Sequence, residues 1–216
     1  MARQTALLAA IVVCAAVPAA CGGSATQVPA GPAVGSSDLN KLILRASQVG
    51  RGYRLVHPRN GRGTRARTLD VCGYFYPSEY YRRARLQVDY RRAGGGVIVS
   101  NEVVTYLPGT AGTALAELRK VVRHCSRGLM GNMAPGMDAV TWSLRWLSVR
   151  ALRPGYVALL MHADTQIRGG MRSNTAAAIY QRNGDVLSAV YAVGGNLKQM
   201  LHVELRAARA VARNLR

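Results

Sequence analysis

Residues 83–92 read Arg83-Ala84-Arg85-Leu86-Gln87-Val88-Asp89-Tyr90-Arg91-Arg92. Ala84, Leu86, Val88 and Tyr90 recur at every second position, and polar or charged side chains stand between them. Successive side chains of an extended chain point to opposite faces, so this is the pattern of a strand with one face buried and the other polar. Gly94-Gly95-Gly96 interrupts the run, and Val97 to Tyr106 is a second stretch rich in β-branched residues that stops at Pro108-Gly109. Together they predict an antiparallel hairpin with a loose, glycine-rich turn.

Downstream, Thr110 or Thr113 caps a helix in which Leu115, Leu118, Val121, Val122 and Cys125 recur on one face. Ser126 to Asp138 reads as a glycine-rich loop carrying Met130, Met133 and Met137. Those methionines either plug the edge of the core or form an adaptable apolar lip on a ligand site. Four β-rich segments follow, at Val140–Val149 with Trp142, Leu144 and Trp146 on one face, Tyr156–Thr165, Asn174–Arg182 and Val186–Val193. Turns separate them, and Asn183-Gly184 is the strongest hairpin signal. A last helix starts after Gly194-Gly195 with Asn196 as cap and turns Leu197, Met200, Leu201, Leu205, Ala208, Ala212 and Leu215 inward. Hairpin, helix, meander and helix predict one α+β domain: an antiparallel sheet of about six to seven strands with two main helices packed on one face.

Upstream, Leu39 to Val49 is short and reads as a helix, capped by Ser37 or Asp38, or as a strand at Leu42-Ile43-Leu44. Between Arg51 and Arg67 stand Arg51, Arg54, Arg59, Arg62, Arg65 and Arg67 with no acid among them, interrupted by Gly61 and Gly63. This stretch reads as a mobile cationic loop suited to anions. Residues 21–37 have the Gly, Ser, Ala and Pro composition of a flexible tether. Residues 1–20 pair one cation, Arg3, with an uncharged stretch from Thr5 to Ala20, the layout of a secretory signal. Ala19-Ala20-Cys21-Gly22-Gly23-Ser24 resembles the cleavage site of a bacterial lipoprotein, although Pro18 stands where such sites usually carry an aliphatic residue. The resemblance implies a diacylglyceryl group on Cys21, acyl chains such as palmitate, and an anchor on the extracytoplasmic face of the cell membrane.

Cys14 lies inside the leader, so a lipidated Cys21 leaves Cys72 and Cys125. An even pair outside the reducing cytosol is most simply a disulfide. Two free thiols or metal ligands are the competing reading, but there is no C-x-x-C and His57, His124, His162 and His202 are scattered singly, so no metal and no cofactor is expected. The net charge is +19, and 26 of the 29 basic residues are arginine, with lysine only at Lys41, Lys120 and Lys198. A surface this positive attracts anionic lipid headgroups and envelope polyanions. Export and the missing nucleic-acid motifs argue against a nucleic-acid partner.

The layout from Asp38 to Arg216 resembles the actinobacterial sensor-domain-like lipoproteins, a group similar to the extracellular sensor domain of the kinase PknH. The resemblance is carried by Gln48-Val49-Gly50-Arg51-Gly52-Tyr53, Cys72-Gly73, residues 82–90, Ala114-Leu115-Ala116-Glu117-Leu118 leading to Cys125, and Val193-Gly194-Gly195-Asn196-Leu197. It implies an extracytoplasmic domain over residues 38–216 that binds a ligand the resemblance does not identify, and it carries over no established catalytic residues; a small or amphiphilic ligand is the expected partner. No nucleophile elbow, zincin helix or phosphate loop is present. An envelope hydrolase would have to use a carboxylate such as Glu102 or Asp164, and a scaffold resting on anionic polymer is the third reading.

Overall fold

The protein is seen here as a computed structural model, which describes residues 36–58, 61–130, 140–149, 152, 155–167 and 170–216. The alternating segment is β2 (Arg82–Arg92), paired antiparallel with β3 (Ile98–Tyr106) through the turn where Gly94, Gly95 and Gly96 all take positive φ. From β3 the chain crosses by way of helix α3 (Thr110–His124) to the far edge, β4 (Arg127–Met130). It then meanders back through β5 (Val140–Trp146), β6 (Val157–Ile167), β7 (Gly170–Asn183) and β8 (Val186–Val193). Strand β8 pairs with β3, and β1 (Tyr53–Val56) is added outside β2. The result is one eight-stranded antiparallel sheet in the order β1-β2-β3-β8-β7-β6-β5-β4.

The α+β class and the single antiparallel sheet are as the sequence predicts, with two differences. Strand number reaches eight because Tyr53–Val56 and Arg127–Met130, both read as loop, form edge strands. The helices do not share a face. On one side Leu86, Val88, Tyr90, Val103, Val190 and Ala192 pack under α1 (Ser36–Leu42), α2 (Ala46–Val49) and α4 (Leu197–Asn214). On the other, Val104, Leu159, Ala178, Tyr180, Leu187 and Ala189 pack against Ala114, Leu115, Leu118 and Val122 of α3. The physical reason lies in the central strands: Val157–Leu160, Ala177–Tyr180 and Val186–Val190 are buried at both parities, and a strand apolar on both faces needs cover on both.

Asn196 caps α4 as expected, its side chain accepting from the Gln199 N–H at 2.9 Å. Met200, Ala208 and Leu215 are buried as expected, but Glu204, Ala207, Ala210 and Val211 join them while Leu201, Leu205 and Ala212 are half-buried and Leu197 is exposed. Among the described residues no helix is long and apolar enough to cross a membrane.

Candidate functional site

After β1 the chain follows the edge of β2. The Gln87 N–H donates to the Gly61 carbonyl at 2.7 Å, and Arg62 bridges to Leu86. A side chain at Gly61 would place its Cβ 2.8 Å from the Gln87 carbonyl oxygen, so this close approach requires glycine. From Thr64 to Tyr81 the chain forms a strap over the α3 face. Arg82 fastens it: the guanidinium donates to the carbonyls of Thr64 at 2.6 Å and Glu79 at 3.0 Å and pairs with the Glu79 carboxylate at 3.3 Å. Glu79 in turn accepts from the N–H groups of Thr68 at 2.9 Å and Leu69 at 3.1 Å.

Below the strap the Thr68 hydroxyl donates to Glu102 at 2.6 Å, and Glu102 is ion-paired with Arg85, both almost wholly buried. Burial pushes the Glu102 carboxyl upward against the pull of Arg85. This group is therefore committed to holding the strap. Asp164 lies on the opposite face of the sheet, where it accepts from Ser173 and meets His162 at 3.3 Å. The carboxylate stands between hydroxyl and imidazole, whereas a nucleophilic triad needs the imidazole in the middle. Glu102 and Asp164 do not face one another across any cleft.

The pinned strap carries Asp70, Val71 and Cys72 to the rim of a cavity of about 280 Å³. Its floor is the sheet: Trp142 and Leu144 from β5, Leu159, Met161 and Ala163 from β6, Ala178 and Tyr180 from β7, and Tyr191 from β8. These residues meet because the odd positions of β6 and β8 and the even positions of β5 and β7 share the α3 face. The Cys72–Cys125 disulfide ties the rim to the end of α3, with Cα atoms 6.4 Å apart. Cys72 takes φ 65, a conformation uncommon for a residue with a side chain.

The polar groups in this apolar cavity are few. Tyr180 and Tyr191 meet edge to face with centroids 5.7 Å apart. Burial raises both phenols well above 10, so they are neutral hydrogen-bonding groups at physiological pH. Trp142 is 6% exposed and its Nε1–H is buried without a partner. No group of three or more metal-ligating side chains occurs among the described residues.

The six arginines do not act as one loop. Arg51 adjoins β1 and Arg54 lies within it, opposite Arg91, while Arg62 lies on the edge of β2. Arg65 and Arg67 line a separate cleft of about 340 Å³ on the far side of the strap. The expected mobile loop is thus corrected to an edge strand and a strap, because backbone pairing to β2 at Tyr53–Val56 and at Gly61–Gly63 outweighs the glycine-rich composition. Arg59, Cys21, Met133 and Met137 lie outside the described residues, and Met130 ends β4. Nothing in the sequence marks Tyr180 and Tyr191 as site residues, since each reads as one more core aromatic in its strand.

No protein-family model matches the chain, and no curated protein matches it. Among solved structures, the extracellular domain of PknH from Mycobacterium tuberculosis aligns with a TM-score of 0.56 over 83% of this chain and 97% of that one. This chain has that fold. Sequence identity is 13%, so the likeness is one of architecture, and it bears out the resemblance read from the layout of residues 38–216.

Proposed function

We propose that the chain is an extracytoplasmic, membrane-anchored binding domain of the sensor-like kind, without catalysis of its own. Its ligand is an anionic or amphiphilic envelope component whose apolar part enters the cavity on the α3 face. In this reading residues 1–20 are the leader, Cys21 carries the lipid anchor, residues 21–37 are the tether, and residues 38–216 are the binding domain.

The observation that carries the reading is the cavity of about 280 Å³ with apolar walls and an unpartnered Trp142 N–H. Water in such a space has few partners, so an alkyl segment displaces it favourably. A buried indole N–H without an acceptor is costly, which marks this wall of the cavity as incompletely satisfied. The net charge of +19 supports an anionic headgroup. The fold shared with the PknH extracellular domain supports the extracytoplasmic placement. The hydrolase reading gains no support, because Glu102 is tied under the strap and Asp164 is on the other face.

Isothermal titration with dodecyl phosphate, dodecyl phosphocholine and dodecyl maltoside below their micelle concentrations tests it. Saturable one-to-one binding, strongest for the phosphate and abolished by Ala163→Phe at the half-buried cavity wall, is expected. Heat that is non-saturable and identical in Ala163→Phe would contradict it.

A further inference from the structure

Phe75 is the chain's single phenylalanine, and it is 58% exposed. Beside it Tyr80 is 76% and Tyr74 45% exposed, and the Phe75 and Tyr80 rings lie 5.8 Å apart. With Arg65 and Arg67 they line the open cleft of about 340 Å³ beyond the strap. Exposed apolar clusters of this kind mark interaction surfaces.

The rings are held outward by what faces inward. The turn Pro77–Tyr81 points Ser78 at Glu117, which accepts from the Ser78 hydroxyl at 2.6 Å, and points Glu79 at Arg82. Tyr76 fills the inward position, buried with its hydroxyl donating to the Val71 carbonyl at 3.1 Å. Phe75 and Tyr80 therefore stay outside the core, on the side of the turn that faces away from these contacts. Arg65 has no hydrogen bond or ion pair among the described residues, and burial raises the neighbouring Asp70 carboxyl while the charge of Arg67 pulls it the other way.

We propose that this aromatic and arginine cleft is a membrane-docking face that seats on the headgroup layer of an anionic bilayer. Aromatic rings favour the headgroup level, where an apolar body and a polar edge are both satisfied. Guanidinium groups fork onto phosphate oxygens, and the excess positive charge of the chain complements an anionic surface. Phe75 and Tyr80 are tilted 53° to one another, which gives no flat platform for a sugar ring but suits insertion among headgroups. The docking face goes beyond the ligand-binding reading, since the cleft and the α3-face cavity share no lining residue. It rests on that reading only for the extracytoplasmic location.

Co-sedimentation with vesicles of equimolar phosphatidylglycerol and phosphatidylcholine tests the proposal, using the Cys21→Ser chain so that no anchor contributes. Phe75→Ser/Tyr80→Ser is expected to weaken binding at least tenfold, and Arg65→Ser/Arg67→Ser to weaken it similarly at low salt. Arg209→Ser/Arg213→Ser, which removes the same charge from exposed positions of α4, is expected to change it less than twofold. In Phe75→Trp the added emission shifts to the blue on vesicle addition. Four results would each overturn the docking face: equal losses from both arginine pairs, equal binding to pure phosphatidylcholine, complete competition by soluble glycerol phosphate, or an unshifted Phe75→Trp emission. Titration of the Phe75→Ser/Tyr80→Ser variant with dodecyl phosphate separates the two readings, because cavity binding is expected to survive the loss of docking.

Discussion

Replacing Glu204 with methionine is expected to stabilise the protein at neutral pH by about 3 kcal/mol. Glu204 is fully buried in α4 and neither carboxylate oxygen has a hydrogen-bond partner. Burial alone raises its pKa from 4.5 to about 9. The folded chain therefore holds a proton there that the unfolded chain releases above pH 4.5. Stability from this group is complete below pH 4.5 and falls by about 1.4 kcal/mol per pH unit up to about pH 9. At pH 7 the loss is about 3 kcal/mol, equivalent to about 6–12 °C in melting temperature for a domain of this size. Methionine keeps the volume and removes both the titration and the unsatisfied oxygens. Urea unfolding of the two proteins from pH 5 to pH 8.5 should show a gap in favour of methionine that widens as pH rises. A pH-independent gap, or a methionine variant less stable at pH 7, would show that the carboxylate has a partner and refute the reasoning.

Cys72→Ser or Cys125→Ser opens a loop spanning 53 residues and should cost about 4 kcal/mol by chain entropy, with the double variant little worse. Urea midpoints check this, and free thiols at both positions in non-reducing peptide maps would contradict it. Glu102→Gln removes the charge that balances the buried Arg85 and should destabilise by about 3–5 kcal/mol, whereas Arg85→Met/Glu102→Leu together should recover most of the loss. Additive losses in that double-mutant cycle would mean that the two residues do not act as a pair. Cys21→Ser should move the protein from the membrane fraction to the medium or leave an unprocessed precursor, and an intact mass of the mature protein without lipid would refute the anchor.

Strict alternation made β2 legible, and Asn183-Gly184 and Asn196 located the last hairpin and the cap of α4, because each signal is local and set by backbone stereochemistry. What failed depended on partners far along the chain. The runs Val157–Leu160, Ala177–Tyr180 and Val186–Val190 are buried at both parities and need cover on both faces, which two helices on one face do not supply. In α4 the periodicity finds Met200, Ala208 and Leu215, but it also turns Leu197, Leu201 and Leu205 inward and passes over the buried Glu204 and Val211. A buried glutamate breaks the polarity rule that periodicity relies on. The site was harder still. The arginines Arg51 to Arg67 look alike in sequence, and only pairing to β2 and the Arg82–Glu79 fastening separate Arg54 on the edge strand from Arg65 and Arg67 in the cleft. The cavity joins the Cys72 segment to four strands, so no local pattern could have outlined it.

The most direct test of the ligand-binding account is the emission of Trp142 itself. The chain has two tryptophans, and Trp146 is 46% exposed, so Trp146→Phe leaves Trp142 as the only reporter. Titrating that variant with dodecyl phosphate should give a saturable change in Trp142 emission, because the ligand enters a cavity that this indole lines. The same change should be absent when Ala163→Phe is added. An emission that does not respond to dodecyl phosphate at any concentration below the micelle threshold would contradict the claim that this cavity holds the ligand.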